Sequence, residues 1–146
     1  DEWFNPWVRQ LHRMSQWFPG RLIVEVSEKV DVSLIQKRWS AIRSTNVLVA
    51  LDDFETKHSD AQVLERFDWD FCKFNLPRLA TFEDLAALDY CRNNGIYTVV
   101  ERIETEQQSL FAKLAGASMM QGYLYGRPQP RYQLPIRLPS SSLAGF

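Results

Sequence analysis

Five polar residues, each in or just after an apolar segment, recur along the chain at intervals of about 20–28 residues. One strand–helix unit occupies an interval of this size. When such units form a parallel sheet or a barrel, the carboxyl ends of the strands meet at one face, where barrel enzymes carry their chemistry. The sequence therefore predicts one shared site built from Glu25, Asp52, Lys73, Glu101 and Gln121.

Asp52 is followed directly by a second carboxylate, Asp53, at the end of the apolar run 47–51. Adjacent carboxylates beside a buried strand repel each other, which costs free energy unless a cation or hydrogen-bond donors compensate them. Carboxylate oxygens are the ligands that Mg²⁺ and Mn²⁺ prefer. A pair of such ions activates water and stabilises the leaving oxygen of a phosphodiester, and a nearby lysine such as Lys73 stabilises charge or helps to take a proton.

Each of these residues alone has a structural explanation. Glu25 or Glu101 can form a salt bridge at a strand end, and Asp53 can cap the next helix. The regular spacing of the whole set favours a site. His12 and His58 lack the spacing of a zinc site, and the chain has no glycine-rich phosphate-binding loop of the Rossmann or P-loop kind.

The composition, with 45% hydrophobic and 24% charged residues among 146, is typical of one soluble globular domain. A formal net charge of −1 provides no basic field, so we expect no DNA or RNA partner. No apolar run approaches the ~18 residues of a membrane span, and no signal peptide is present, so we expect a cytoplasmic domain without membrane contact. Cys72 and Cys91 are expected to be reduced, packed thiols.

Strand and helix patterns alternate along the chain, which predicts a parallel α/β sheet built from right-handed strand–helix–strand units in a single domain, 1–146. Helix starts are expected at Thr81, with Asp84 completing a capping box, and at Thr105, with Gln108. Gly95 is expected to end the first of these helices.

An aromatic helix is predicted within residues 1–20, and an irregular tail rich in proline and serine over 129–146. The apolar residues expected on one side of this helix, packed against the sheet, are Trp3, Trp7, Leu11, Met14 and Phe18.

The same segments, in order, resemble the second half of an EAL domain, the family that hydrolyses the bacterial second messenger cyclic di-GMP. "EVSE" resembles E-x-T-E, "LDDFET" resembles D-D-F-G-T-G, "DFCKFN" resembles D-x-x-K-I-D, "VVERIET" resembles A-E-G-V-E-T, and "MMQGYLYGRP" resembles Q-G-Y-x-x-x-x-P. The resemblance implies these roles: metal ligands Glu25, Asp52 and Asp53; catalytic water and second metal, Lys73 and Glu101; ligand contact, Gln121; loop support, Glu28 and Glu104.

The chain also departs from the family pattern. The E-A-L and N-x-S elements, each of which supplies a metal ligand in the family, do not occur. Glu55 and Lys57 replace two glycines of the loop after the paired aspartates, so a stiffer, charged loop is expected. Arg102 replaces a glycine and Asn75 an aspartate. A pairing of Arg102 with the neighbouring glutamates would indicate a site no longer used as a metal centre.

Five strands cannot close an eight-stranded barrel, so we expect a partial TIM-type (β/α) barrel of about five parallel strands. We expect it to be dimeric, to be completed by a partner domain, or to be one piece of a longer protein. The resemblance implies cyclic di-GMP as the ligand and Mg²⁺ or Mn²⁺ as the cofactor if the metal site is retained. We expect a binding or regulatory domain, because two metal-ligand elements are missing. The alternatives are an active phosphodiesterase once the barrel is completed and, if the motif matches are chance, an unrelated metal-using α/β enzyme. Family members often carry further modules, so the parent protein can be membrane-anchored.

Overall fold

The computed structural model of this chain describes residues 2–56, 61–75 and 81–128. Lys57, His58 and the tail predicted over 129–146 lie outside these ranges. No helix in the described ranges is long and apolar enough to cross a membrane.

Helices and strands alternate along the chain as predicted. The elements are α1 Phe4–Trp17, β1 Ile23–Ser27, α2 Val32–Arg43, β2 Leu48–Phe54, α3 Ala61–Arg66, β3 Phe71–Asn75, α4 Phe82–Asn93, β4 Tyr97–Glu101, α5 Glu106–Leu114 and β5 Met119–Met120.

The five strands form one parallel sheet in the order β1-β2-β3-β4-β5. Strands that are neighbours in sequence are also neighbours in space, which is the arrangement of a barrel wall. Within the described ranges β1 and β5 each have one unpaired edge, so the sheet is open.

The two faces of the sheet are buried to very different extents. The outer face packs on the helices through fully buried side chains, Val49, Leu51, Cys72, Phe74 and Val100. On the inner face Ile23 is 46%, Tyr97 58% and Met119 39% exposed. The hydrophobic core therefore lies between the sheet and the helices.

The two cysteines are free and fully buried, as expected for packed thiols. Burial raises the pKa of Cys72 well above its usual range, and the adjacent Cys91 raises it further. The Cys72 thiol is therefore protonated at neutral pH.

The predicted helix ends are present. Thr81 and Asp84 form a capping box at the start of α4, and Thr105 and Gln108 form another at the start of α5. Gly95 has φ +73°, the left-handed conformation expected after α4. Local chemistry thus determines where these helices begin and end.

The prediction for the aromatic helix was partly wrong. Leu11 is buried and Trp7 is partly buried, but Trp3 is 60% and Phe18 is 55% exposed. Phe4 takes the buried position at the start of α1, and the Trp3 ring instead stacks on the Arg38 guanidinium, 4.7 Å from the ring centre. Phe18 lies beyond the last helical residue, where the backbone leaves the helical path.

Candidate functional site

The ammonium group of Lys73, on β3, links carboxylates from three other strands, β1, β2 and β4. Nζ lies 2.8 Å from Glu25 Oε1, 2.7 Å from Asp52 Oδ1 and 3.1 Å from Glu101 Oε1. The Lys73 side chain is only 11% exposed. We call these four residues the Lys73 cluster.

The carboxylates of the Lys73 cluster keep the Lys73 ammonium group protonated. Burial alone would lower the pKa of Lys73, but the carboxylates of Asp52, Glu25 and Glu101 raise it above its ordinary value. Asp52 Oδ1 is buried and meets Nζ outside hydrogen-bonding geometry, so this contact is an ion pair. Lys73 is therefore a permanent cation at neutral pH.

A backbone irregularity brings the two adjacent aspartates to one side of the sheet. Neighbouring residues of a regular strand point to opposite faces. Here the register between β2 and β3 shifts between Leu51 and Phe54, and Asp53 has φ +55°. A bulge of this kind redirects a side chain, and as a result Asp52 and Asp53 line the same cavity.

The end of β4 turns sharply after Glu101. Arg102 has φ +61°, and Ile103 next to it is fully buried. The Ile103 amide donates to the Gln121 carbonyl at 3.1 Å, and the Leu124 amide donates to the Ile103 carbonyl at 3.0 Å. The segment after β4 is thereby tied to the segment after β5.

Gly122 allows this close approach. A β-carbon at residue 122 would lie 2.7 Å from the carbonyl carbon of Ile103 and closer still to its nitrogen and oxygen. Real β-carbons do not make such contacts, so any side chain here forces the two segments apart. Gly122 therefore sets the spacing between Glu101 and Gln121.

These elements enclose a cavity of about 570 Å³ at the carboxyl ends of the strands, which we call the carboxylate cavity. Of the predicted site residues, it is lined by Asp52, Asp53, Lys73, Glu101, Glu104 and Gln121. Arg102, Gly122 and Tyr123 complete the lining. Six of the eight predicted site residues thus lie around one space.

Glu25 and Glu28 lie outside this lining. Glu25 joins the site through Lys73 and lines a neighbouring, mostly apolar cavity on the inner face. Glu28 accepts a hydrogen bond from the Glu55 amide at 3.1 Å, and so ties the end of β1 to the loop after β2. The loop support by Glu28 that the family resemblance implies stays a prediction.

The donor set suits a hard divalent cation. Oxygen atoms of Asp52, Asp53 and Glu101 all lie within 4.8 Å of one another. Asp52 Oδ1 and Asn75 Oδ1 are buried without a hydrogen bond, and Asn75 pairs in register with Glu101. Buried oxygens that lack a hydrogen bond, beside carboxylates, suit such an ion, although Asp52 Oδ1 also forms the ion pair with Lys73. The geometric group includes Glu101 but not the predicted ligand Glu25, although both of these carboxylates are paired with Lys73.

Sequence reasoning did not assign Tyr123 and Gly122 to the site. Both residues lie in the stretch that resembles Q-G-Y-x-x-x-x-P, so the sequence contains a motif that points to their place in the site. Arg102 departs from the family glycine at this position, and the fold places it in the wall of the carboxylate cavity. Arg102 makes no ion pair with Glu101 or Glu104 in the described structure.

Comparison with protein families matches the EAL domain to residues 1–128. The chain belongs to the EAL domain family. It is 34% identical over 130 residues to MucR of Pseudomonas aeruginosa, described as a bifunctional diguanylate cyclase/cyclic di-GMP phosphodiesterase. The matched region covers 80% of this chain. The chain spans a third or less of the length of the curated relatives that it matches, and 18% in the case of MucR.

Solved EAL structures share the fold. A Bacillus subtilis YkuI structure in complex with cyclic di-GMP and calcium superposes with a TM-score of 0.71 at 19% identity, covering 86% of this chain and 33% of that one. Klebsiella pneumoniae BlrP1, in a manganese/cyclic di-GMP complex, gives a TM-score of 0.64 at 25% identity, covering 74% of this chain and 30% of that one. The predicted TIM-type fold, present here as five parallel strands with flanking helices, is confirmed.

Proposed function

We propose that this EAL-type chain is a cyclic di-GMP-binding, regulatory domain. The observation that carries the proposal is the Lys73 cluster, in which one cation is shared among three carboxylates, two of which, Asp52 and Glu101, belong to the candidate metal group. A metal ion at Asp52 and Glu101 would have to share them with Lys73 at 2.7 and 3.1 Å.

The carboxylate cavity supports binding of a nucleotide. The Tyr123 side chain, 58% exposed, offers an aromatic surface for a base, and the Gln121 amide can donate and accept hydrogen bonds. The ligand named for the related YkuI and BlrP1 structures is cyclic di-GMP. Cyclic di-GMP is therefore the ligand we propose.

The second candidate is a metal-dependent cyclic di-GMP phosphodiesterase that works once the barrel is completed. The group of oxygen atoms that Asp52 forms with Asp53 and Glu101 favours this candidate. A bound Mg²⁺ or Mn²⁺ would supply activation of water and stabilisation of the leaving oxygen. Asp52, Asp53 and Glu101 would hold it, and Lys73 would contribute positive charge near the phosphodiester.

The exposed inner face supports completion of the barrel by further polypeptide, either a second chain or the remaining half of the barrel in a longer protein. Ile23, Phe71, Val99 and Met119 line an apolar hollow of about 350 Å³ there. We propose that a second copy of the chain or a partner domain covers this hollow, since an exposed apolar surface of this kind is an interaction site.

Calorimetric titration of cyclic di-GMP into the chain, with Ca²⁺ present, tests the proposed binding. We expect saturable binding that is lost in Asp52→Ala and unchanged in Asp89→Ala, an exposed aspartate paired with Arg92. Absence of binding by the wild type would overturn the proposal. Formation of linear dinucleotide with Mn²⁺ would favour the enzymatic alternative.

A further inference from the structure

Among the described residues that line the carboxylate cavity, two side chains are cationic, Lys73 and Arg102, and of these two Arg102 has charge to offer a ligand. Lys73 is shared among Glu25, Asp52 and Glu101. Arg102, which lines the same cavity, is exposed and makes no ion pair within the described ranges, although Glu101 and Glu104 are close to it in sequence. An unpaired guanidinium therefore faces a space otherwise lined by four carboxylates.

The backbone at Arg102 is costly for an arginine. Its φ of +61° lies in the left-handed region that a residue with a β-carbon disfavours. Strained backbone conformations cluster at ligand-binding sites, where surrounding structure enforces them. Here the hydrogen bonds of Ile103 to the segment after β5 hold the turn.

We propose that Arg102 is a ligand-specificity residue that binds a phosphodiester group of cyclic di-GMP. This inference rests on the proposed function. A guanidinium donates two parallel hydrogen bonds to phosphate oxygens, a geometry that an ammonium cannot offer. Because the cavity carries four carboxylates, an anionic ligand needs a cation that is not already neutralised. Arg102 supplies that cation, while Gln121 and Tyr123 are available to the rest of the nucleotide.

Three substitutions at one position separate charge from strain. Arg102→Gln removes the charge and keeps a β-carbon, Arg102→Lys keeps the charge without the planar fork, and Arg102→Gly removes both charge and strain. Asn46→Gly is the matched control, because Asn46 is exposed, has φ +58° and lies before β2, at the opposite end of the strands.

We expect cyclic di-GMP to bind roughly ten- to a hundredfold more weakly to Arg102→Gln and Arg102→Gly in calorimetry with Ca²⁺. Arg102→Lys should lie between these variants and the wild type. Arg102→Gly should also melt at a higher temperature than the wild type, as should Asn46→Gly, which should bind the ligand normally. Higher stability with weaker binding distinguishes a ligand residue from a structural one.

Unchanged affinity in Arg102→Gln, with normal binding by the wild type, would overturn the role of Arg102 and leave the proposed function standing. No binding by the wild type would overturn the proposed function and this inference with it. Equal loss of affinity in Asn46→Gly would also overturn the inference, because the effect would then come from the backbone.

Discussion

At the scale of single residues, Lys73 dominates the site because it carries the counter-charge for three carboxylates. Glu101 and Asp52 are largely buried, with side chains 16% and 27% exposed. Removing the partner of a buried charge leaves that charge uncompensated, which costs more than the intact pair contributes. The stability of the free chain is therefore tied to the chemistry of its site.

The substitution Lys73→Met tests this link. Partial exposure of the cluster reduces the loss expected for a buried pair, so we expect unfolding free energy to fall by about 2–3 kcal/mol. Mn²⁺ should restore part of this loss, because the carboxylates become free to hold it. Urea denaturation with and without Mn²⁺ measures both effects.

Arg92→Met is the control, since Arg92 pairs with Asp89 on the exposed surface of α4. It should change stability by no more than about 0.5 kcal/mol and give no response to Mn²⁺. Equal losses in the two variants would contradict the central role of Lys73.

The pH dependence of this effect has a defined sign. The folded pKa of Lys73 lies above its unfolded value, so its stabilisation is complete below the ordinary lysine pKa of about 10.4 and is lost as pH rises through the folded value. The stability difference between wild type and Lys73→Met should be constant from about pH 7 to pH 9 and shrink at higher pH. A difference that shrinks below pH 9 in denaturation experiments would contradict the raised pKa.

Gly122 is the second residue with a predictable effect. In Gly122→Ala the new β-carbon collides with the backbone of Ile103, so we expect a loss of about 3 kcal/mol or more and displacement of Arg102 and Glu104. Gly95→Ala, which has open space but φ +73°, should cost only about 1 kcal/mol. Thermal denaturation compares the two, and equal losses would show that the segments after β4 and β5 separate easily.

At the scale of elements, the sequence predicted what local chemistry controls. The order of strands and helices and both capping boxes could be read directly, because apolar spacing and cap residues act within one or two turns. The bulge in β2 could not be predicted from the sequence, because it depends on the pairing of β2 with β3. The exposure of Trp3 also depended on another element, because Arg38 of α2 provides its partner.

The bulge itself can be tested at Asp53. Asp53→Val should destabilise the chain by about 1–2 kcal/mol, because a β-branched residue disfavours φ +55°. Asp53→Gly should preserve or raise stability while removing one carboxylate from the cavity. Chemical denaturation provides the comparison, and equal stability of the two variants would show that β2 straightens without cost.

At the scale of the whole molecule, the open sheet is the main feature that the strand count predicted. Helices cover its outer face, and the inner face carries both the charged site and exposed apolar side chains. Closure of the barrel would bury this face and surround the carboxylate cavity.

Self-association is therefore expected through the inner face. Sedimentation velocity over a range of protein concentrations should show a concentration-dependent dimer that is weakened by Ile23→Lys, on the exposed inner face of β1. Gln36→Lys, on the exposed surface of α2, is the charge-matched control. A monomer at every concentration would exclude a second copy as the completing element and leave a partner domain.

The contacts of Lys73 join residues that are far apart in sequence, which affects the folding kinetics. Its contacts join β1, β2, β3 and β4, with partners up to 48 residues away in sequence. Contacts of such long range form only after several chain loops have closed, which places them late on the folding pathway. Interactions absent from the transition state act mainly on the unfolding rate. The ion pairs of the Lys73 cluster therefore lower the unfolding rate of the sheet and leave its folding rate almost unchanged.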